Sequence, residues 1–191
     1  MSTILESHLN KFITVKSDEF LEIMTYFKLQ TVNKNQNLLE EGQVSNAIYF
    51  VLNGILRKFF TNEKGVERTT EFAIENWWMT DHFSYINHSP TEFTIQAVQK
   101  TEILVLNNEQ QQLLLQKHPS MEKYFRYIYQ KAFAASQMRI KFMYDLSREE
   151  LYHYFKQVQP EFLQRVPQYL IASYLGFTPE YLSEIRRKSI S

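Results

Sequence analysis

The segment RVPQYLIASYLGFTPEYLSEIRRK, from Arg165 to Lys188, contains several side chains that form hydrogen bonds and ion pairs. Arginine and lysine pair with phosphate oxygens, and hydroxyl, amide and carboxylate groups exchange hydrogen bonds with the edges of bases. Held on one surface, such groups would recognise a polyanion such as DNA. The candidate residues for these contacts are Gln168, Thr178, Glu180, Tyr181, Ser183, Glu184, Arg186, Arg187 and Lys188.

Two short helices are predicted to position these side chains. Pro167 suits the start of the first helix, because its fixed φ matches a first helical turn and its missing N–H is not needed there. Gly176 ends that helix, since glycine readily adopts the left-handed conformation found at helix C-termini. Thr178 then caps a second helix, whose first residue is Pro179.

The spacing of small and apolar residues in this segment is typical of a helix-turn-helix. Ala172 lets two helices cross closely, and Gly176 makes the turn four residues later. Leu182 and Ile185 bury the inner face of the second helix, which leaves its N-terminus and outer face free for a major groove. A plain helical hairpin without a binding role is the alternative interpretation.

The overall composition restricts the classes of protein to consider. The chain has 191 residues, of which 44% are hydrophobic, so it can bury a sizeable core. Its formal net charge is zero, so contact with a nucleic acid would depend on a local basic patch. The absence of cysteine excludes disulfides, thiolate zinc sites and cysteine-ligated iron–sulfur clusters. The first residues lack a signal-peptide pattern and no apolar run is long enough to span a membrane, so a cytoplasmic protein is expected.

An enzyme is not expected. A metal-dependent oxygenase built on a jelly roll needs two histidines and a carboxylate as ligands, and the five histidines here form neither H-x-H nor H-x-x-H. Nucleophile-elbow and phosphate-cradling glycine motifs are also absent. We therefore expect no catalytic residue, no metal, no haem and no iron–sulfur cofactor.

Residues 30–107 are predicted to form β-strands. They follow a helix at residues 17–27, for which Ser17 is the expected cap, and they consist of short apolar or alternating runs separated by turn signals. Asn53-Gly54, between IYFVL and ILRKFF, predicts a hairpin because both turn positions can take positive φ. Many short strands with frequent turns are typical of a sandwich or jelly roll.

A long helix is predicted from about residue 119 to 145. Apolar or small residues recur there at steps of four and three, as in a coiled coil, with Arg139 in one of the positions. A second apolar stripe allows one face to meet the sheet and the other to meet a second copy; packing on the sheet alone is the alternative. The second stripe consists of Tyr124, Phe133, Ile140 and Tyr144. The predicted dimer interface consists of Met121, Phe125, Ile128, Ala132, Ala135 and Phe142.

The predicted fold class is α+β, with three parts. Ser147-Arg148-Glu149-Glu150 is a capping box that starts a new helix, and it marks the boundary after the long helix. We expect a double-stranded β-roll with flanking helices at residues 1–118, the dimerisation helix at 119–145, and an all-helical helix-turn-helix domain at 146–191.

The whole chain resembles the Crp/Fnr family of bacterial transcription regulators, and within it a branch common in Bacteroidetes. The resemblance rests on VPQYLIASYLGFTPEYLSEIRRK, IYFVLNGILRKFF and FTIQAVQKTEILVL. It implies a cyclic-nucleotide-binding-like β-roll with a sensory role, a homodimer formed through the long helix, and promoter binding through the helix-turn-helix. It also implies double-stranded DNA, RNA polymerase and an unidentified small effector as partners, and no membrane.

The sequence departs from the cyclic AMP receptor pattern at the ligand site. That pattern has a Gly-Glu pair and an Arg-Ser pair, which fall here on Thr80-Asp81 and Phe93-Thr94. Phe93 cannot pair with a phosphate, so a charge-assisted contact of about 1.5–3 kcal/mol is lost. We therefore expect a ligand other than cyclic AMP. The candidate ligand residues are Phe72, Trp78, Thr80, Asp81, Phe93 and Thr94, with Trp77 and Phe83 as further aromatic neighbours.

The second helix also departs from the family. Glu184 stands where relatives often carry an arginine that reads bases, so the target sequence cannot be borrowed from them. The functional expectation is a DNA-binding transcription regulator. The alternative is a ligand-binding or protein-interaction module that does not bind DNA.

Overall fold

The computed structural model describes residues 3–188. The strands are β1 (Lys28–Val32), β2 (Asn37–Leu39), β3 (Ala47–Asn53), β4 (Leu56–Thr61), β5 (Glu67–Ala73), β6 (Trp78–Met79), β7 (Thr94–Ala97) and β8 (Thr101–Asn107). The helices are α1 (Thr3–Leu9), α2 (Ser17–Met24), α3 (His82–Asn87), α4 (Asn108–Lys117), α5 (Ser120–Asp145), α6 (Arg148–Val158), α7 (Pro160–Arg165), α8 (Gln168–Leu175) and α9 (Pro179–Lys188). The predicted cap of α2 is displaced by one residue, because Lys16 and not Ser17 occupies the N-cap.

The strands form a β-roll of two four-stranded sheets. Their orders are β1-β8-β3-β6 and β2-β7-β4-β5. Apolar side chains from both sheets fill the space between them, including the buried residues Val32, Val51, Leu56, Ile95 and Ile103. The predicted α+β class and the predicted jelly roll are therefore confirmed.

The turn at Asn53-Gly54 is not the predicted hairpin. β3 pairs with β6 and β8, whereas β4 lies in the other sheet beside β5 and β7. Gly54 has a φ of 110°, and the next amide, Ile55 N–H, donates to Thr101 Oγ1 at 3.2 Å. The chain therefore crosses from one sheet to the other at this point, because pairing with distant strands outweighs the local turn preference.

The contacts divide the described residues into two compact units. The first comprises residues 3–60 and 71–130, and the second comprises residues 61–70 and 131–188. The end of the β4–β5 hairpin thus belongs to the second unit, and α5 contributes to both. The sequence pattern predicts a simpler division, at residues 118 and 145.

In the first unit, a second apolar cluster anchors α1 and the start of α5. Tyr124 is fully buried there, and its hydroxyl accepts a hydrogen bond from Trp78 Nε1 at 2.8 Å. The same hydroxyl is hydrogen-bonded to Nδ1 of the buried His8 at 2.8 Å. Burial raises the pKa of Tyr124, and the bond from Trp78 only partly opposes this. One hydroxyl therefore joins α1, β6 and α5.

The predicted dimer interface is only partly exposed. Met121 and Phe125 are buried in the core of the first unit, and Ile128 packs against that core. This corrects the expectation that Met121 and Phe125 face a partner, because the protein's own core already covers them, whereas Ile128 is only partly covered. Ala132 and Ala135 are exposed, and the half-buried Phe142 packs against Tyr154 with ring centroids 4.5 Å apart.

In the second unit, local sequence signals define the start and end of α6 as predicted, whereas Pro167 is the N-cap of α8 and not its first residue. Ser147 Oγ accepts from Glu150 N–H at 3.3 Å, and a Glu150 carboxylate oxygen accepts from Ser147 N–H at 2.8 Å, which completes the capping box of α6. α6 ends immediately before Gln159, and Pro160 begins α7. Leu170, Ile171 and other apolar residues of α7, α8 and α9 are buried in this unit.

We predict that Gly54→Ala strongly destabilises the first unit. A Cβ at this position would lie 2.5 Å from Thr101 Oγ1 and 2.8 Å from Thr101 Cα, so backbone would have to move. Because of this overlap and the positive φ, we expect the free energy of unfolding to fall by about 2–5 kcal/mol. Urea denaturation monitored by tryptophan fluorescence measures it. Gly42→Ala is the control, because Gly42 also has positive φ but nothing lies within 4 Å of the point that a Cβ would occupy there. Equal losses for the two variants would show that the contact with Thr101 costs nothing.

Candidate nucleic-acid interface and ligand site

The turn between α8 and α9 depends on Gly176. This residue has a φ of 76° and caps α8 in the left-handed conformation. Its N–H donates to Ser173 O at 3.3 Å, and Phe177 N–H donates to Ala172 O at 2.8 Å. These bonds occupy carbonyls that lack partners at the end of a helix, and glycine is the residue that adopts this backbone conformation at least cost.

Helix α9 begins directly after this turn, as predicted. Thr178 Oγ1 accepts from Tyr181 N–H at 3.2 Å, and Pro179 is the first helical residue. Leu182 and Ile185 are buried, so they fix the inner face of the helix. The exposed polar residues of the segment are Thr178, Glu180, Ser183, Glu184, Arg186, Arg187 and Lys188. Seven of the nine predicted DNA-contacting residues therefore lie exposed at the cap or along one helix.

The other two predicted residues are less accessible. Tyr181 is half-buried, and its ring meets Phe177 edge to face with centroids 5.6 Å apart. Gln168 is the first residue of α8, and its Nε2 donates to Leu163 O at 3.3 Å. Both side chains have a packing role, which limits their freedom to turn toward a nucleic acid.

The C-terminal end of α9 carries both signs of charge. Lys188 Nζ lies 3.1 Å from a Glu184 carboxylate oxygen and 3.7 Å from a Glu149 carboxylate oxygen. The hydrogen bond and the charge of Glu184, followed by the charge of Glu149, raise the pKa of Lys188. Salt screens pairs of this kind because all three groups are exposed. To contact a phosphate, as predicted from the sequence, Lys188 would have to give up these carboxylate contacts.

Arg148 was not among the predicted contact residues. It is exposed at the first position of α6, and its guanidinium carbon lies 5.7 Å from the centre of the Tyr181 ring. This contact places another cation beside α9. Nothing in the spacing of the sequence relates residue 148 to residue 181, so the signal is only visible in three dimensions.

In the β-roll, internal hydrogen bonds hold the first predicted ligand pair. Thr80 is buried and its hydroxyl donates to Ala47 O at 2.8 Å. Asp81 is also buried; one carboxylate oxygen accepts from Phe83 N–H at 3.1 Å and the other from the Thr91 hydroxyl at 2.6 Å. Asp81 thus caps α3 and holds the following loop through Thr91, and both roles are structural.

The second predicted pair lies beside a lysine that sequence reasoning missed. Phe93 is half-buried, and Lys58 Nζ lies 5.5 Å from the centre of its ring. Lys58 is 13% exposed, donates to Thr80 O at 3.1 Å, and pairs with a Glu71 carboxylate oxygen at 2.6 Å. Of the four residues in the two predicted pairs, Thr80 and Phe93 therefore lie beside a cation that a carboxylate already neutralises. A lysine within a strand is usually expected to face solvent, so nothing in the sequence pattern pointed to it.

His82 adds a titratable group at the same place. Its ring meets Tyr129 edge to face, with centroids 5.1 Å apart. Loss of water around the partly exposed ring lowers the pKa of His82, the charge of Lys58 acts in the same direction, and Glu71 and Asp81 oppose it. This favours a neutral imidazole at neutral pH.

The remaining predicted ligand residues belong to the core. Phe72 is buried. Trp78 packs against Phe50 and Phe125, with ring centroids 5.0 and 5.3 Å apart, and donates to Tyr124 as described above. Trp78 therefore stabilises the helical side of the roll and is not grouped with Phe93.

Two negative findings apply to residues 3–188. No set of three or more histidine, aspartate or glutamate side chains in this range is arranged to hold a metal ion. No helix in the same range is both long and apolar enough to cross a membrane.

The sequence of the roll matches a known domain family. The profile of the family described as cyclic nucleotide-binding domain covers residues 29–118, which include strands β2 to β8. No curated protein matches the chain significantly. The roll is thus a domain of the cyclic nucleotide-binding type.

Solved structures of similar fold extend beyond the roll. The c-di-GMP responsive global regulator CLP of Xanthomonas campestris aligns with a TM-score of 0.71 and 15% identity, over 88% of this chain and 89% of that chain. A regulator of the crp/fnr family from Eubacterium rectale aligns with a TM-score of 0.66 and 15% identity, over 91% and 83%. The catabolite activator protein of Thermus thermophilus aligns with a TM-score of 0.57 and 19% identity, over 91% and 83%.

Residues 29–118 therefore match the cyclic nucleotide-binding domain family, and the chain shares its fold with proteins described as transcription regulators, one of them of the crp/fnr family, in line with the resemblance found in the sequence. The neighbours named above are regulators and not enzymes. The Bacteroidetes-type branch stays a prediction.

Proposed function

We propose that this protein is a transcription regulator that binds promoter DNA as a homodimer and senses a small ligand other than cyclic AMP. The observation that carries the proposal is the α8–turn–α9 arrangement. Gly176 and Thr178 set the turn, Leu182 and Ile185 bury the inner face of α9, and the polar side chains are left exposed. A helix with this disposition fits the major groove, and its exposed arginines suit the adjacent phosphates.

A homodimer follows from the exposed face of α5. Phe133, Ile140 and Met143 are 66%, 56% and 64% exposed, and Tyr129 lies four residues before Phe133. Together with Ser136 these positions follow steps of four and three, the period of a two-stranded coiled coil. The stripe lies about a quarter turn around the helix from the buried Met121, at 3.6 residues per turn. We therefore shift the proposed interface from the predicted residues to this stripe.

The proposed ligand differs from cyclic AMP because of the charges in the roll. The resemblance places a phosphate beside Phe93, which has no charge. Lys58 is the nearby cation, but Glu71 already pairs with it and would repel an anion. One structural neighbour is described as responsive to c-di-GMP, so this fold supports more than one effector. No metal or other cofactor is part of the proposal.

A module without DNA binding is the second candidate. The observation that favours it is the pairing of Lys188 with Glu184 and Glu149, which reduces the positive charge at the end of α9. The two candidates differ in whether the wild-type protein is retained on DNA in a salt-dependent manner.

We predict that residues of α9 fall into two classes in a DNA-binding assay. Arg186→Ala should weaken binding to a selected operator and to random DNA alike, and should lower the salt slope by about one, because one fewer counterion is released. Glu184→Ala should change the preferred bases, since a carboxylate can accept from cytosine. Operators selected from random DNA and binding constants measured at several salt concentrations test both expectations.

The control for this assay is Lys100→Ala, which removes one exposed positive charge from the roll. It should change neither the salt slope nor the preferred bases. If Glu184→Ala preserves the operator ranking while Arg186→Ala alters it, the proposed orientation of α9 is wrong. If the wild-type protein shows no salt-dependent retention, the module without DNA binding is the better description.

We predict that Phe133→Glu combined with Ile140→Glu gives a monomer. Each carboxylate would face its symmetry mate in an apolar seam, where desolvation of unpaired charge is costly. Light scattering measures the mass. Ala135→Glu is the matched variant, because Ala135 is exposed on the face first predicted from the sequence. A monomer from Ala135→Glu and a dimer from the double variant would restore the original interface.

We predict that cyclic AMP does not bind with a micromolar or lower dissociation constant. Calorimetry on the wild-type protein tests this, and Glu71→Gln should bind cyclic AMP better because the carboxylate that neutralises Lys58 and repels the phosphate is removed. Glu92→Gln removes a charge from the exposed residue before Phe93 and should have no such effect. Micromolar binding to the wild type would mean that Lys58 already serves as the phosphate cation.

A further inference from the structure

The end of the β4–β5 hairpin is a rigid element of the second unit. Asn62 Oδ1 accepts from the N–H groups of Lys64 and Val66, both at 3.0 Å, and Asn62 N–H donates to Val66 O at 3.1 Å. Gly65 N–H donates to Asn62 O at 2.8 Å and closes the turn. The backbone that follows is therefore presented in a fixed conformation.

Ser173 joins this hairpin end to α8. Its hydroxyl accepts a hydrogen bond from Thr69 N–H at 2.9 Å and donates one to Glu67 O at 3.0 Å. Both partners are backbone groups of β5, so the pairing does not depend on a flexible side chain. The first helix of the helix-turn-helix is thus bonded to the edge of a strand.

Arg139 of α5 makes a second junction between the same elements. Its guanidinium donates to Thr70 O and, at 3.0 Å, to Tyr174 O, and it lies 3.9 Å from the centre of the Tyr174 ring. Tyr174 O is one of the last carbonyls of α8, which the N–H groups of the helix itself do not reach. A cation at this end also interacts favourably with the negative end of the helix dipole. One side chain therefore donates to a carbonyl of β5 and to a carbonyl at the end of α8.

We propose that residues 61–70 contribute to DNA binding without touching the DNA, because they hold α9 in position. Arg139 and Ser173 are the positioning residues that connect them to α8. The proposal rests on the proposed function. Tyr174 lies two residues before Gly176, and the turn and α9 follow at once. Fixing the last turn of α8 thus fixes the starting point of α9. An element held in its bound geometry loses less entropy when it binds, so these contacts increase affinity without touching the nucleic acid.

The chemistry of Arg139 separates positioning from a direct phosphate contact. The residue is half-buried, its donors face two carbonyls, and its plane covers an aromatic ring. A phosphate-contacting arginine releases a counterion and contributes about one unit to the salt slope. A positioning arginine changes the binding constant and leaves that slope unchanged. Lysine retains the charge but not the planar fork or the stacking, so it should not substitute for arginine here.

The test compares Arg139→Gln, Arg139→Lys and Ser173→Ala in the full chain. With an operator selected by the wild-type protein, we expect each Arg139 variant to weaken binding about tenfold and Ser173→Ala to weaken it several-fold, at an unchanged salt slope. Titration of the binding-competent fraction with excess operator separates affinity from stability. Lys141→Gln is the control, because it removes an exposed charge two residues away on the same helix and should bind like the wild type.

Hydrogen exchange gives a readout that does not need DNA. The Thr69 amide should exchange faster in Ser173→Ala than in Lys141→Gln, because its acceptor is removed. Two outcomes would overturn the positioning role and leave the proposed function intact. One is wild-type affinity in both Ser173→Ala and Arg139→Gln, and the other is a salt slope lower by about one in Arg139→Gln. A wild-type protein that does not bind DNA at all would instead overturn the proposed function, and the positioning role with it.

Discussion

The hydroxyl of Tyr124 is the contact on which the orientation of the long helix depends. It is shared by His8 and Trp78 inside an apolar cluster, where a polar group without partners would cost about 1–3 kcal/mol. Because both bonds are directional, α5 cannot rotate about its axis without breaking one of them. The rotation of α5 in turn decides which of its residues enter the protein's own core and which, such as Phe133 and Ile140, stay exposed.

Signals that act over one helical turn were predictable from the sequence, and signals that act across the fold were not. Gly176, Thr178 and the capping box at Ser147 and Glu150 were confirmed, because a cap or a left-handed glycine needs only its neighbours in the chain. The hairpin at Asn53-Gly54 was wrong, because the partners of both strands come from distant segments. The coiled-coil pattern located α5 correctly but could not tell which of its stripes the roll would cover.

The candidate ligand site shows the same limit. Aligning Thr80-Asp81 and Phe93-Thr94 with a family pattern selected two segments that Thr91 joins, because its hydroxyl contacts both Asp81 and Phe93. It could not reveal that Asp81 caps α3 and holds Thr91, or that Lys58 from β4 lies next to Phe93 and pairs with Glu71. Residue type and spacing carry no record of such contacts between separate strands, although these contacts determine the charge of this part of the roll.

The discontinuity of the second unit bears on how the gene can be divided. A fragment that begins after residue 130 would contain α6 to α9, yet it would leave behind the strand backbone that Ser173 and Arg139 contact. Such a fragment is not a transferable cassette in the way that a contiguous helix-turn-helix would be. A chimeric protein that takes α6 to α9 from one parent would also have to take residues 61–70 from that parent. The order of elements along the chain therefore suggests more recombination points than this fold allows.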